Sequence, residues 1–140
     1  MAVPFLACMV LAAQVYHLPP RVLPAIQAVE GGTVGSVSAN TNGTEDFGLM
    51  QINTIWIAPL ARVAHLTPDD VRNRLINDPC FSIAAAAVVV RGYLNEERGD
   101  LMRAVGDYHS HSETRHFAYR EKVIAAAWRL FYPAAQRPAK

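Results

Sequence analysis

The chain has 140 residues, a formal net charge of +1 and 51% hydrophobic residues. That length is enough for one domain, residues 1–140, to bury roughly two thirds of its unfolded surface without further staples. The near-neutral balance, with no basic stretch interleaved with aromatics, excludes nucleic-acid binding through a broad electrostatic footprint.

In chain order, the first element is an apolar run at residues 3–13. It is too short to cross a bilayer and lacks a basic leader, so it is read as a structural helix over about residues 4–16, with no membrane span. Apolar groups at most of its positions predict that it is covered on nearly every side. His17-Leu18-Pro19-Pro20 ends it. Val22, Leu23, Ile26 and Val29 then recur at helical spacing up to Glu30, and Gly31-Gly32 supplies the stop.

Residues 33–46 are rich in Gly, Ser, Thr and Asn, with short alternation at Val34 and Val37. This predicts a loop or small hairpin forming the polar half of a cleft. Leu49, Ile52, Ile55, Trp56 and Leu60 resume a helical pattern. Thr67-Pro68-Asp69-Asp70 reads as an N-cap with proline at the first position, opening a short helix to about Leu75. After Asn77-Asp78-Pro79, residues 81–94 form an alanine- and valine-rich helix, expected to be the buried central strut. A short helix at residues 101–108 and a polar turn, His109-Ser110-His111-Ser112, lead to a closing helix at residues 113–131, with Phe117, Val123, Ile124, Ala127 and Leu130 inward. From Pro133 onward a frayed tail is expected. There are no internal repeats.

Chemistry concentrates at Glu30. A carboxyl that follows an apolar helix face and sits at the negative end of the helix dipole is held towards its protonated form, and such a group donates a proton near neutral pH. A solvated helix-end charge is the competing reading. His109, His111 and His116 lack a recognised ligand arrangement, and Asn40-Thr41-Asn42-Gly43 is followed by no bidentate glutamate, so no metal and no cofactor are expected. Cys8 and Cys80 are far apart and lack CxxC spacing. They are either two buried thiols or one disulfide, which would stabilise the fold by about 4 kcal/mol in the chain-entropy model.

Two segments carry a family resemblance. Ala25-Ile26-Gln27-Ala28-Val29-Glu30-Gly31-Gly32 matches a helix reading Ala-Ile-x-x-Val-Glu-Ser-Gly, with glycine at the serine position. Residues 40–53 match Asn-Thr-Asn-Gly-Thr-x-Asp-x-Gly-Leu-Met-Gln-Ile-Asn, a highly specific pattern. Over about residues 8–128 the chain therefore resembles the lytic transglycosylases of the lysozyme-like superfamily. Tyr108-His109-Ser110, where other members carry Tyr-Asn-Ala-Gly, is similar to the subgroup attached to secretion, conjugation and pilus systems. Members of that subgroup often carry cysteines placed as Cys8 and Asp78-Pro79-Cys80 are here. The resemblance thus implies a Cys8–Cys80 disulfide and, with it, an oxidising periplasm.

It further implies a mainly α, lysozyme-like fold with a small β or loop element flanking an active-site cleft. The activity implied is cleavage of peptidoglycan between N-acetylmuramic acid and N-acetylglucosamine, with Glu30 as proton donor and then as base, closing a 1,6-anhydro ring. Gly48, Met50, Gln51 and Tyr108 are the implied substrate-binding residues. Gly48 would allow close backbone approach to the sugar, and the other three have plainer readings: a core methionine, a surface glutamine and a buried tyrosine. Asp46, or less readily Glu45, is a candidate second carboxylate, against the competing reading of Asp46 as the cap of a helix opening near Gly48. The expected partners are peptidoglycan strands and components of an envelope-spanning machine. The alternatives are a hydrolytic muramidase, in which Asp46 positions water, and a noncatalytic glycan-binding or assembly module.

Overall fold

A computed structural model of the protein describes residues 3–109 and 112–132. Ser110, His111 and the tail expected from residue 133 lie outside the described residues. Seven α-helices and a small sheet lie among the described residues, the helices being α1 Leu6–Val15, α2 Val22–Glu30, α3 Ile57–Ala64, α4 Pro68–Asn77, α5 Pro79–Glu96, α6 Leu101–His109 and α7 Glu113–Phe131. The fold is mainly α and lysozyme-like, as expected. None of these helices is long and apolar enough on its own to cross a membrane.

The strut is α5. Its alanines and valines, among them Ala86, Ala87 and Val90, are fully buried, and their small side chains let α1, α4 and α6 approach closely. Its start is sharply defined: Asp78 Oδ1 accepts from Phe81 N at 3.0 Å, with Pro79 in the first turn. The same device opens α4, where Thr67 Oγ1 accepts from Asp70 N at 3.1 Å. Cys80, in the first turn of α5, is disulfide-bonded to Cys8 on α1, with Cα atoms 5.4 Å apart and 72 positions between them in sequence. Of the two readings open for the cysteines, the disulfide is the one present.

Between α2 and α3 lies an antiparallel sheet in the order β1-β2-β3, formed by Val37–Ala39, Glu45–Phe47 and Ile52–Asn53. The expected hairpin is therefore present, its turn closed by Asn40 N on the Thr44 carbonyl at 2.9 Å. The register sets Ser38 opposite Asp46 and Asp46 opposite Asn53.

Three expectations are corrected. First, α1 is not covered on every side: Met9, Ala12 and Ala13 pack inward, whereas Leu6, Val10, Leu11 and Val15 are exposed, Leu11 by 61%. Only α5 and α2 lie against it as principal neighbours, so composition alone overstated its burial. Second, no helix begins at Leu49. Gly48 (φ 67°) and Gln51 (φ 54°) turn the chain through the left-handed region, β3 follows, and a 3-10 turn at Thr54–Trp56 leads into α3. Leu49 and Ile52 are buried because that turn and strand cross the core, and their spacing imitates a helix by coincidence. Third, the inward face of α7 is His116, Tyr119, Val123 and Ala126; Phe117 and Ile124 are exposed.

Candidate active site

Glu30 is the last residue of α2, and Gly31 follows in the left-handed conformation at φ 66°, its N–H donating to the Gln27 carbonyl at 2.8 Å. Glycine adopts this conformation without a Cβ penalty, which accounts for glycine where the family pattern has serine. The next residue has a different constraint: a Cβ at Gly32 would collide with the carbonyls of Gly48 and Leu49. The end of α2 is thereby pressed against the turn at residues 48–51, and the acid is set beside the polar segment.

A cleft of about 650 Å³ opens there, with Glu30, Asp46, Gln51, Asn53, Trp56 and Tyr108 among its lining residues. Four of the sequence-predicted site residues, Glu30, Asp46, Gln51 and Tyr108, thus face one cavity. Burial pushes the Glu30 carboxyl up to about 7; a hydrogen bond from Tyr119 opposes this, the Asp46 charge adds to it, and Lys122 opposes it. The Tyr119 hydroxyl donates to Glu30 Oε1 at 3.0 Å, across 89 positions of sequence. Burial, with Glu30 next in effect, holds the Tyr119 hydroxyl far above its ordinary range, so it remains a donor.

Tyr108 is placed differently. Its hydroxyl donates to the Met50 carbonyl at 2.9 Å, and Met50 N donates to the buried Ser82 Oγ at 3.1 Å. The backbone of Met50 is thus pinned from α5 and α6 while its side chain is fully buried in the core. Gln51 reaches the cleft, its Nε2 donating to the Gly48 carbonyl at 3.0 Å. Gly48 serves packing: a Cβ there would collide with the Leu75 carbonyl of α4, so close approach to the cleft is not what requires this glycine.

Asp46 lies on β2 and caps no helix. Its Oδ1 accepts from Asn53 Nδ2 at 2.9 Å, and Asn53 itself caps the 3-10 turn by accepting from Ile55 N at 3.1 Å. Glu45 is turned to Arg72, 3.6 Å away, so of the two acids only Asp46 lines the cleft. The histidines do not assemble: the His109 ring stacks on Tyr119 at 4.8 Å, His116 Nδ1 meets the buried Asp107 Oδ1 at 3.2 Å, and His111 lies outside the described residues. Among the described residues, the carboxylates that converge are Glu96, Glu97 and Asp107, and Glu97 is already engaged by Arg103 at 2.6 Å.

Sequence reasoning missed Tyr119, Asn53 and the edge-to-face pair of Trp56 and Tyr93, whose centroids are 5.8 Å apart at the cleft. Trp56 and Tyr93 present apolar ring surface to the cleft. A helical domain with a small sheet, holding a desolvated acid in an open polar cleft, has the layout of the lysozyme-like class. The sequence agrees: residues 7–129 match the family model for the transglycosylase SLT domain, and the chain belongs to that family. It is similar to Protein IpgF of Shigella flexneri, 28% identical over 121 residues, covering 86% of this chain and 76% of that protein. It is also similar to the Invasion protein IagB of Salmonella typhimurium strain LT2, 25% identical over 122 residues, covering 86% of this chain and 72% of that protein.

Proposed function

We propose that the protein is a peptidoglycan lytic transglycosylase in which Glu30 is both the acid and the base. The observation that carries this reading is the half-buried Glu30 carboxyl facing the cleft, with one oxygen held by Tyr119. That bond orients the carboxyl and leaves the other oxygen to carry the proton. Glu30 gives that proton to the glycosidic oxygen, the bond from the muramyl C1 to that oxygen breaks, and positive charge develops at C1. The Glu30 carboxylate then takes the proton of the same sugar's C6 hydroxyl while that oxygen bonds to C1. Glu30 ends protonated, the product is a 1,6-anhydro sugar, and neither water nor a cofactor is consumed. In this reading Gln51 holds the sugar beside the bond, from a turn braced by the pinned backbone of Met50, and a single domain supplies both walls of the cleft.

Asp46 supports a second reading, because it faces the same cleft and is oriented by Asn53. Positioning a water there would make the enzyme a muramidase with the same substrate. A noncatalytic glycan-binding module would have no use for a half-buried acid raised to about 7. We further infer a periplasmic site of action, supported by the family and the disulfide, and local opening of the wall for an envelope-spanning machine, supported by the relative named as an invasion protein. The test is release of soluble fragments from purified sacculi by the wild type and by Glu30→Gln. The wild type is expected to clear them and the variant to lose at least about a hundredfold in rate, the lower end of general acid–base contributions. A variant that clears sacculi at a rate near the wild type overturns the role of Glu30.

A further inference from the structure

We propose that a second recess, beside Glu30 on the α7 side, binds a carboxylate carried by the muramyl substituent of the glycan. This rests on the glycan-cleaving reading above. The recess has a volume of about 300 Å³ and shares Glu30, His109 and Arg115 with the cleft, so a group branching from a sugar at Glu30 can reach it without leaving the site. Its wall is one face of α7: Arg115, Ala118, Tyr119 and Lys122 follow at i, i+3, i+4 and i+7. Ala118 leaves space between the two cations, and Tyr119 with Glu30 forms the inner side. Arg115 and Lys122 are exposed, and neither is in a salt bridge with a carboxylate among the described residues.

The sugar rings of the backbone are uncharged, and the anions nearest the bond to be cut are carboxylates attached through the lactyl ether of the muramyl residue. These belong either to the stem peptide or, once that is removed, to the lactyl group itself. The recess is roomier than a lactyl group, which favours the peptide.

The experiment compares kcat/KM on native sacculi, on sacculi whose carboxylates have been converted to neutral amides, and on amidase-stripped strands. The wild type is expected to prefer native over neutralised material roughly tenfold, the effect of one charge-assisted contact. Arg115→Gln/Lys122→Gln is expected to abolish that preference, and Lys122→Arg to retain it. Loss of preference on stripped strands assigns the carboxylate to the peptide; its retention assigns it to the lactyl group. Equal use of native and neutralised sacculi by an active wild type, or an undiminished preference in the double variant, overturns the proposal. Co-sedimentation of Glu30→Gln with native and neutralised sacculi reads the same preference without turnover. Wild-type inactivity on all three substrates would instead overturn the glycan-cleaving reading.

Discussion

At Glu30 the physical cost of holding an acid in a cleft becomes measurable. Charge on this carboxyl is disfavoured by folding, so its folded value, about 7, lies above the unfolded value of ~4.3. The stability associated with the protonated form is complete below ~4.3 and is lost as pH rises through 7, by on the order of 3 kcal/mol. Glu30→Gln, which cannot ionise and still accepts from Tyr119, is therefore expected to match the wild type in thermal unfolding at pH 4 and to be more stable by roughly 3 kcal/mol at pH 8. Equal stability at both values would show that Glu30 is solvated. Activity should follow the same proton, with an alkaline limb near 7 in a pH profile on sacculi. Tyr119 tunes that limb. Its hydrogen bond favours the charged carboxylate, so Tyr119→Phe is expected to move the limb to higher pH; an unmoved limb would mean that Tyr119 does not act on Glu30. The acid was legible from its place after an apolar helix and before two glycines, but Tyr119 was not. It stands 89 positions away, and its approach depends on which face α7 turns inward.

That face shows what pattern reading at the scale of an element can and cannot do. Of the apolar choices Val123 is buried and Phe117 and Ile124 are exposed, and the buried set is His116, Tyr119, Val123 and Ala126, at i, i+3, i+7 and i+10. The two polar members are tolerated inside because each has a partner, Asp107 for His116 and Glu30 for Tyr119, and those partners come from other helices. Capping and punctuation were more transparent, since Thr67-Pro68 and Asp78-Pro79 act within one turn of themselves. The turn at Gly48 was obscured by the apolar spacing around it. Because Gly48 is at positive φ and meets the Leu75 carbonyl, Gly48→Ala is expected to cost at least about 2 kcal/mol and to loosen the Gln51 side of the cleft. A denaturant titration with an unchanged midpoint would contradict this. The α1–α5 disulfide encloses a long segment, so Cys8→Ser/Cys80→Ser is expected to lose about 2–4 kcal/mol. Unaltered unfolding of that variant would mean that the bond adds nothing to packing that already holds.

Across the whole molecule, the cleft is a meeting of two kinds of structure. The helices α2 and α7 supply a half-buried acid and the hydroxyl that orients it, α6 adds Tyr108, and the small sheet with its turns supplies Asp46, Gln51 and Asn53. Glu30 sits where the glycines at 32 and 48 bring these halves into contact. With Asp46 facing the same cavity, the molecule holds one acid that is protonated near neutral pH and one carboxylate tied to an asparagine. Whether the second carboxylate delivers water distinguishes a muramidase from a lytic transglycosylase, and the answer is written in the product. The decisive measurement is mass spectrometry of the muropeptides that the wild type releases from purified sacculi, with Glu30→Gln as the control. Glu30 acting alone as acid and then base yields fragments ending in 1,6-anhydromuramic acid, each one water lighter than its hydrolysed counterpart, and none of either from the variant. Release of only the hydrolysed, reducing-end fragments would contradict it.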